Sequence, residues 1–194
     1  MFEFTTVRYS KIDNLTYFLS GNQLLKVDDL AGNTVGFYNG ANSLDEIAYD
    51  ANGSMTKDLN KGISNIQYNV LNLPNEVLFD NGATQTYHYT ADGEKWRTVY
   101  MAGMLLKDTV DYCGGAIVEN GVLKKLLTPV GYVDMSGSTP SYYYYLKDHQ
   151  GNNRVVVNSN GSVVETNHYY PFGGLFSTST PKVLRQYIKV QMVK

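Results

Sequence analysis

The side chains that could do chemistry are few, and their spacing does not assemble them. His88, His149 and His168 show no metal-ligand spacing with one another or with the single cysteine, Cys113. Cys113 lies in Asp111-Tyr112-Cys113-Gly114-Gly115, where a strand should give way to a turn. A catalytic thiol needs a base and a group to orient it, and the flanking sequence supplies neither. Free cysteines are usually small buried apolar residues, and Cys113 is read that way. The pair Asp148-His149 invites a triad reading, but neighbours in a strand point to opposite faces and would not orient one another. A turn fits better, with the Asp148 carboxylate accepting from amides as far as Gly151. Gly114-Gly115 and Gly173-Gly174 lack the Gly-Lys-Ser/Thr tail of a phosphate loop. No catalytic, metal or cofactor-binding residue is therefore assigned, and no cofactor is expected. Asn14-Leu15-Thr16, Asn52-Gly53-Ser54 and Asn160-Gly161-Ser162 fit the glycosylation acceptor pattern, though the last two read better as turns.

The elements that hold these residues are strands. Glycine or asparagine punctuates the chain about every ten residues, at Gly53, Gly62, Asn72, Gly82, Gly93, Gly103 and Gly114, with further marks at Gly131, Gly151 and Gly161. Strands at this spacing indicate successive hairpins, with no room for an amphipathic helix. A longer period overlies this one. Tyr49, Tyr68 and Tyr87 stand 19 residues apart, and Tyr49-Asp50-Ala51-Asn52-Gly53 recurs loosely from Tyr68 to Asn72 and from Tyr89 to Gly93. Each unit reads as two strands, the kind of repeat that stacks into an array. In Thr84–Thr90, Gln85, Tyr87 and Tyr89 alternate with Thr84, Thr86, His88 and Thr90, giving one aromatic and one polar face. Tyr142 to Tyr145 put tyrosine on both faces, which predicts a sheet covered on both sides there.

Composition narrows the classes. The 194 residues carry 16 basic and 18 acidic side chains, a net charge of −2, so no basic field draws in nucleic acid. No apolar run approaches the length of a membrane helix, and Met1 to Ser10 lack the apolar region of a secretory signal. One cysteine rules out an intramolecular disulfide. The 17 tyrosines, mostly in strand-like runs, are the outlier.

The densest of these runs is Tyr142 to Phe176. It reads Tyr-Tyr-Tyr-Tyr-Leu-Lys-Asp-His-Gln-Gly-Asn-Asn-Arg, then Val155-Val156-Val157, a turn at Asn160-Gly161, and His168-Tyr169-Tyr170-Pro171-Phe172-Gly173-Gly174. Glycine where positive φ is needed, stiff β-branched residues and a proline ending the last run make a three-stranded antiparallel meander. The two motifs and their separation resemble the core-associated segment of bacterial RHS (YD-repeat) proteins. The motif-bearing positions are Tyr144, Tyr145, Asp148, His149, Gly151, Asn152, Arg154, His168, Tyr169, Tyr170, Pro171, Phe172 and Gly173. The Tyr-Asp-x-x-Gly units carry the resemblance back to about Leu15.

The resemblance implies an all-β fold of antiparallel hairpin repeats forming a curved single-layer sheet, part of the wall of a hollow shell. In that family, and in the related toxin-complex shells, the wall encloses a C-terminal effector, often a toxin, and acidic residues downstream of the Tyr-Pro-Phe-Gly block perform self-cleavage. No residue here matches the cleavage motif. The expected layout is a lead-in over 1–14, hairpin repeats over 15–112, a core-associated meander over 113–176, and a linker with an atypical, truncated or out-of-frame strand over 177–194. The expected role is structural and non-enzymatic. The expected partners are the rest of a larger RHS polypeptide and its effector, with self-association through exposed strand edges. The rival is a surface adhesion module binding carbohydrate on tyrosine platforms. The family resemblance implies an exported or cell-surface location.

Overall fold

The computed structural model describes residues 13–31, 37–169, 173 and 175–178. Strands β1 (Leu15–Ser20) and β2 (Gln23–Asp29) form a hairpin of their own. The remaining strands are β3 (Ile47–Tyr49), β4 (Met55–Asp58), β5 (Ile63–Tyr68), β6 (Pro74–Phe79), β7 (Ala83–Tyr89), β8 (Lys95–Ala102), β9 (Leu105–Cys113), β10 (Ala116–Glu119), β11 (Val122–Thr128), β12 (Gly131–Asp134), β13 (Ser141–Lys147), β14 (Asn153–Asn158), β15 (Val163–Tyr169) and β16 (Leu175–Thr178). Among the described residues they make one 14-stranded antiparallel sheet in strict sequence order, from β3 to β16. Every connection within it is local. Apart from a single 3₁₀ turn at Leu59–Lys61, the described residues hold no helix.

The reason for this architecture lies in the turns. Five of them share one set of bonds. In the β3–β4 turn, the Gly53 amide donates to the Asp50 carbonyl and the Asp50 amide to the Ser54 carbonyl. The Asp50 carboxylate accepts from the amides of Asn52 and Ser54 at 2.9 and 2.8 Å. Asn69, Asp148 and Asn158 repeat the whole pattern with Asn72, Gly151 and Gly161. Thr90 keeps the main-chain bonds and one of the two side-chain bonds, its hydroxyl accepting from the Glu94 amide. The fourth turn residue is left-handed each time, at φ 83° for Gly53, 56° for Asn72, 82° for Gly93, 85° for Gly151 and 78° for Gly161. Glycine or asparagine is required there because other side chains resist that backbone. The register shifts at or next to the residue before each turn, which adds a bulge and local twist.

One glycine behaves otherwise. Gly131 reads as a turn mark but opens β12 as a buried strand residue paired with Tyr144. A Cβ there would overlap the backbone carbonyl of Tyr143. The close approach of β13, rather than a turn, is what requires glycine.

Only one face is substantially buried. Ile66, Val77 and Tyr87 form its centre, with Met55, Ile63, Tyr68, Phe79 and Tyr89 packed around them. On the opposite face, His88 and Gln67 are exposed, as the alternation predicts. The β1–β2 hairpin is joined to the sheet by Glu46, which is fully buried. The Glu46 amide donates to the Leu25 carbonyl, and its Oε2 accepts from Asn60 Nδ2 at 2.7 Å and from the Val27 amide at 3.3 Å.

Candidate functional site

The feature the sheet repeats is a tyrosine at the end of a strand, at Tyr49, Tyr68 and Tyr89 directly before a shared turn. Its hydroxyl reaches back and donates to a main-chain carbonyl at the start of the preceding strand. Tyr68 donates to Met55 at 2.6 Å, Tyr89 to Pro74 at 2.7 Å and Tyr169 to Asn153 at 2.9 Å. Tyr49 does the same to Leu24 of β2 at 3.1 Å, so β2 takes the place of the strand before β3. The tethers of Tyr68, Tyr89 and Tyr169 each close a hairpin, that of Tyr49 joins β3 to β2, and each satisfies a phenol that would otherwise be half-buried without a partner. Burial raises the phenol pKa of Tyr68, Tyr89 and Tyr169.

These bonds correct the 19-residue spacing. Tyr87 is not the equivalent of Tyr49 and Tyr68, because Tyr89 makes the tether. Tyr87 lies two residues earlier on the same face and is a core residue. The lysine of β8, Lys95, sits 5.2 Å from the centre of the Tyr87 ring and 5.4 Å from that of Tyr112.

Farther along the sheet, tyrosines stack instead. Tyr132 of β12 and Tyr143 of β13 are direct cross-strand partners, with ring centres 4.7 Å apart and planes 14° from parallel. Tyr145 meets Tyr132 at 6.0 Å, tilted by 41°. Lys125 lies 4.9 Å over Tyr132, Lys147 5.7 Å over Tyr145 and Arg154 5.9 Å over Tyr169. Burial, with smaller contributions from Tyr143 and from Glu165, pushes the Tyr132 phenol well up.

Nine of the motif-bearing residues fall into three groups. Tyr145, Arg154 and Tyr169 belong to the packed aromatic face. Asp148, His149, Gly151 and Asn152 belong to the β13–β14 turn, where the Asn152 side chain also donates to Asp148 at 3.1 and 3.2 Å. Those bonds, led by the one from the Asn152 side chain, hold the Asp148 carboxyl below the usual range. His149 is exposed beside this carboxylate, which the turn amides occupy. Tyr144 and His168 project from the other face and are exposed. Gly173 is left-handed at φ 84°. Tyr170, Pro171 and Phe172, and the strand expected over 177–194 beyond Thr178, lie outside the described residues.

Two expectations fail here. Cys113 is exposed rather than buried, because it is the last residue of β9 at a turn. The sheet is not covered on both sides at Tyr142 to Tyr145: Tyr142 and Tyr144 keep 50% and 45% of their surface, while Tyr143 and Tyr145 are packed. Sequence reading also missed Glu46, the lysine lids and the bidentate pair of Arg97 with Asp111, at 2.5 and 2.9 Å. Arg97 and Asp111 are cross-strand partners, a relation visible only once the β8–β9 register is known. Among the described residues, no three histidine, cysteine or acidic side chains converge as metal ligands.

The class defined by these features is an open, single-layer antiparallel meander closed by side-chain tethers. No protein-family model matches the chain. No curated protein matches it either. Solved structures do. The chain superposes on a Tc holotoxin pore of Photorhabdus luminescens carrying a TccC3 variant, with a TM-score of 0.52 and 17% identity over 68% of this chain and 7% of that one. It superposes on the TcdB2-TccC3 crystal structure with a TM-score of 0.52 and 17% identity, covering 68% of this chain and 8% of that one. For TcdB2-TccC3-TEV the TM-score is 0.51 and the identity 14%, over 86% of this chain and 10% of that one. At these identities the likeness is one of fold. The chain spans a tenth or less of the length of these proteins.

Proposed function

We propose that this chain is a stretch of wall in an RHS-type shell whose full polypeptide encloses a C-terminal effector, and that the stretch itself does no chemistry. The observation that carries the reading is the sheet: fourteen strands in sequence order, with every connection local. Such a strip can be lengthened indefinitely at either end, as a shell wall requires. Its likeness in fold to the Tc chains supports the same reading. The division into lead-in, repeats, core-associated meander and terminal strand is part of the proposal, as is the structural role of the motif-bearing residues. Asp148 supports that role, since its carboxylate is engaged by three donors of its own turn.

The test is protease protection in the polypeptide that carries this segment. The C-terminal effector should resist added protease in the intact protein and be cut once denaturant opens the shell. Cleavage at the same rate in both states would overturn the proposal. Glycan binding that disappears in a Tyr142→Ala, Tyr144→Ala variant would instead favour the adhesion module.

A further inference from the structure

Three phenols converge on the packed face without serving as tethers. Tyr132 and Tyr143 are held ring to ring by the β12–β13 register, 4.7 Å apart and nearly parallel, and Tyr145 stands 6.0 Å from Tyr132. Among the described residues this is the only stacked pair of tyrosines. All three rings are partly buried, which fixes them while leaving them within reach of a small oxidant.

We propose that Tyr132 and Tyr143 are an oxidative cross-linking site, at which a one-electron oxidant joins the two phenols into a dityrosine that ties β12 to β13. Each phenol gives one electron to the oxidant and its hydroxyl proton to solvent. The two phenoxyl radicals pair, and a carbon–carbon bond forms between ring positions ortho to the oxygens. The hydrogens on those carbons then move to the oxygens, restoring both aromatic rings and hydroxyls. In total the oxidant takes two electrons, and the protein loses two hydrogens. Position favours this pair. A partner held in place has an effective concentration of about millimolar or more, against micromolar for a second molecule. Tyr17 and Tyr142 are more exposed, at 56% and 50%, but among the described residues neither has a phenol stacked on it.

The experiment oxidises the chain at micromolar concentration with photogenerated ruthenium(III) tris-bipyridine, using persulfate as the terminal acceptor. Cys113 is exposed and competes for oxidant, so the chain carries Cys113→Ser. Cleavage before Asp134 separates Tyr132 from Tyr143. Mass spectrometry should find the two fragments joined, two hydrogens light, within monomeric chain and at a yield independent of protein concentration. Unfolding in urea before oxidation should remove the product. Tyr132→Phe keeps the ring and should lower the yield at least about tenfold, the held-partner advantage being lost. Tyr142→Phe should leave it unchanged. In Tyr143→Phe, coupling should pass to Tyr145 at lower yield. An unchanged yield in Tyr132→Phe, or cross-links mainly between molecules at micromolar chain, would overturn the proposal.

Discussion

Two stretches of the same sheet use tyrosine differently. From β3 to β8, tyrosines end strands and donate to a carbonyl, and between them Ile66, Val77 and Tyr87 form a small core. From β11 to β14, tyrosines stack on one another under lysine lids. The residue just before the turn explains the change. Before Asp148 the tether position holds Lys147, and its ammonium donates to the Pro129 carbonyl at 3.1 Å. Before Asn158 it holds Val157, which has no donor to offer. The phenols of this stretch then sit mid-strand, where the ladder brings them face to face. At Tyr169 the tether returns. The turn is thus the constant and the closing side chain the variable. The opposite faces differ as well. Around β5–β7 it carries Gln67, Thr86 and His88, whereas around β11–β15 it exposes Leu126, Tyr142, Tyr144 and Leu146.

The largest expected effect tests what the two stretches share. Burial keeps the phenols of Tyr68, Tyr87, Tyr89, Tyr132, Tyr145 and Tyr169 neutral to higher pH than in the unfolded chain. Unfolded tyrosine titrates near pH 10. Below that pH the stabilisation is complete; above about 10 the unfolded chain releases protons that the folded chain retains, so stability falls. Both stretches should therefore unfold together in alkali, as followed by circular dichroism and by tyrosinate absorbance. Phenols that ionise before the sheet is lost would break this account.

Gly131→Ala strikes the stacked stretch alone. Its new methyl meets the Tyr143 carbonyl, a backbone atom that cannot turn aside. The cost should be about 3 kcal/mol in denaturant unfolding. Ala83, also a buried first residue of its strand, already carries that methyl, which marks how specific the demand at Gly131 is.

Ile66→Ala strikes the tethered stretch, where the side chain is 5% exposed, and should cost about 3 kcal/mol. Leu146→Ala, at 54% exposed, should stay within about 0.5 kcal/mol. Equal losses would mean that the face bearing Leu146 is packed against something in solution.

The smallest effect separates the two uses of a phenol. Tyr68→Phe removes the donor to Met55 and leaves that half-buried carbonyl short of a partner, a loss of about 1 kcal/mol. Tyr144→Phe, on the exposed face, should change stability by less than about 0.5 kcal/mol.

The sequence by itself determined the strand order and most of the turns. Asp50, Asn69, Asp148 and Asn158 act through bonds spanning four residues, and a left-handed position needs its glycine or asparagine locally. An alternation such as Gln85, Tyr87, Tyr89 against Thr84, Thr86, His88 likewise needs no distant partner. Only the tertiary structure decided which side chains meet across strands. Tyr89 rather than Tyr87 makes the tether because it stands directly before its turn, the place of Tyr49 and Tyr68, although the 19-residue spacing points to Tyr87. Gly131 looked like one more turn because a glycine needed for left-handed φ and one needed for close approach are the same letter. Glu46 gave no sign of its burial, since its partners Val27 and Asn60 come from separate elements that only the fold brings together. Local rules are written in neighbouring residues, and cross-strand contacts depend on a register that each bulge resets.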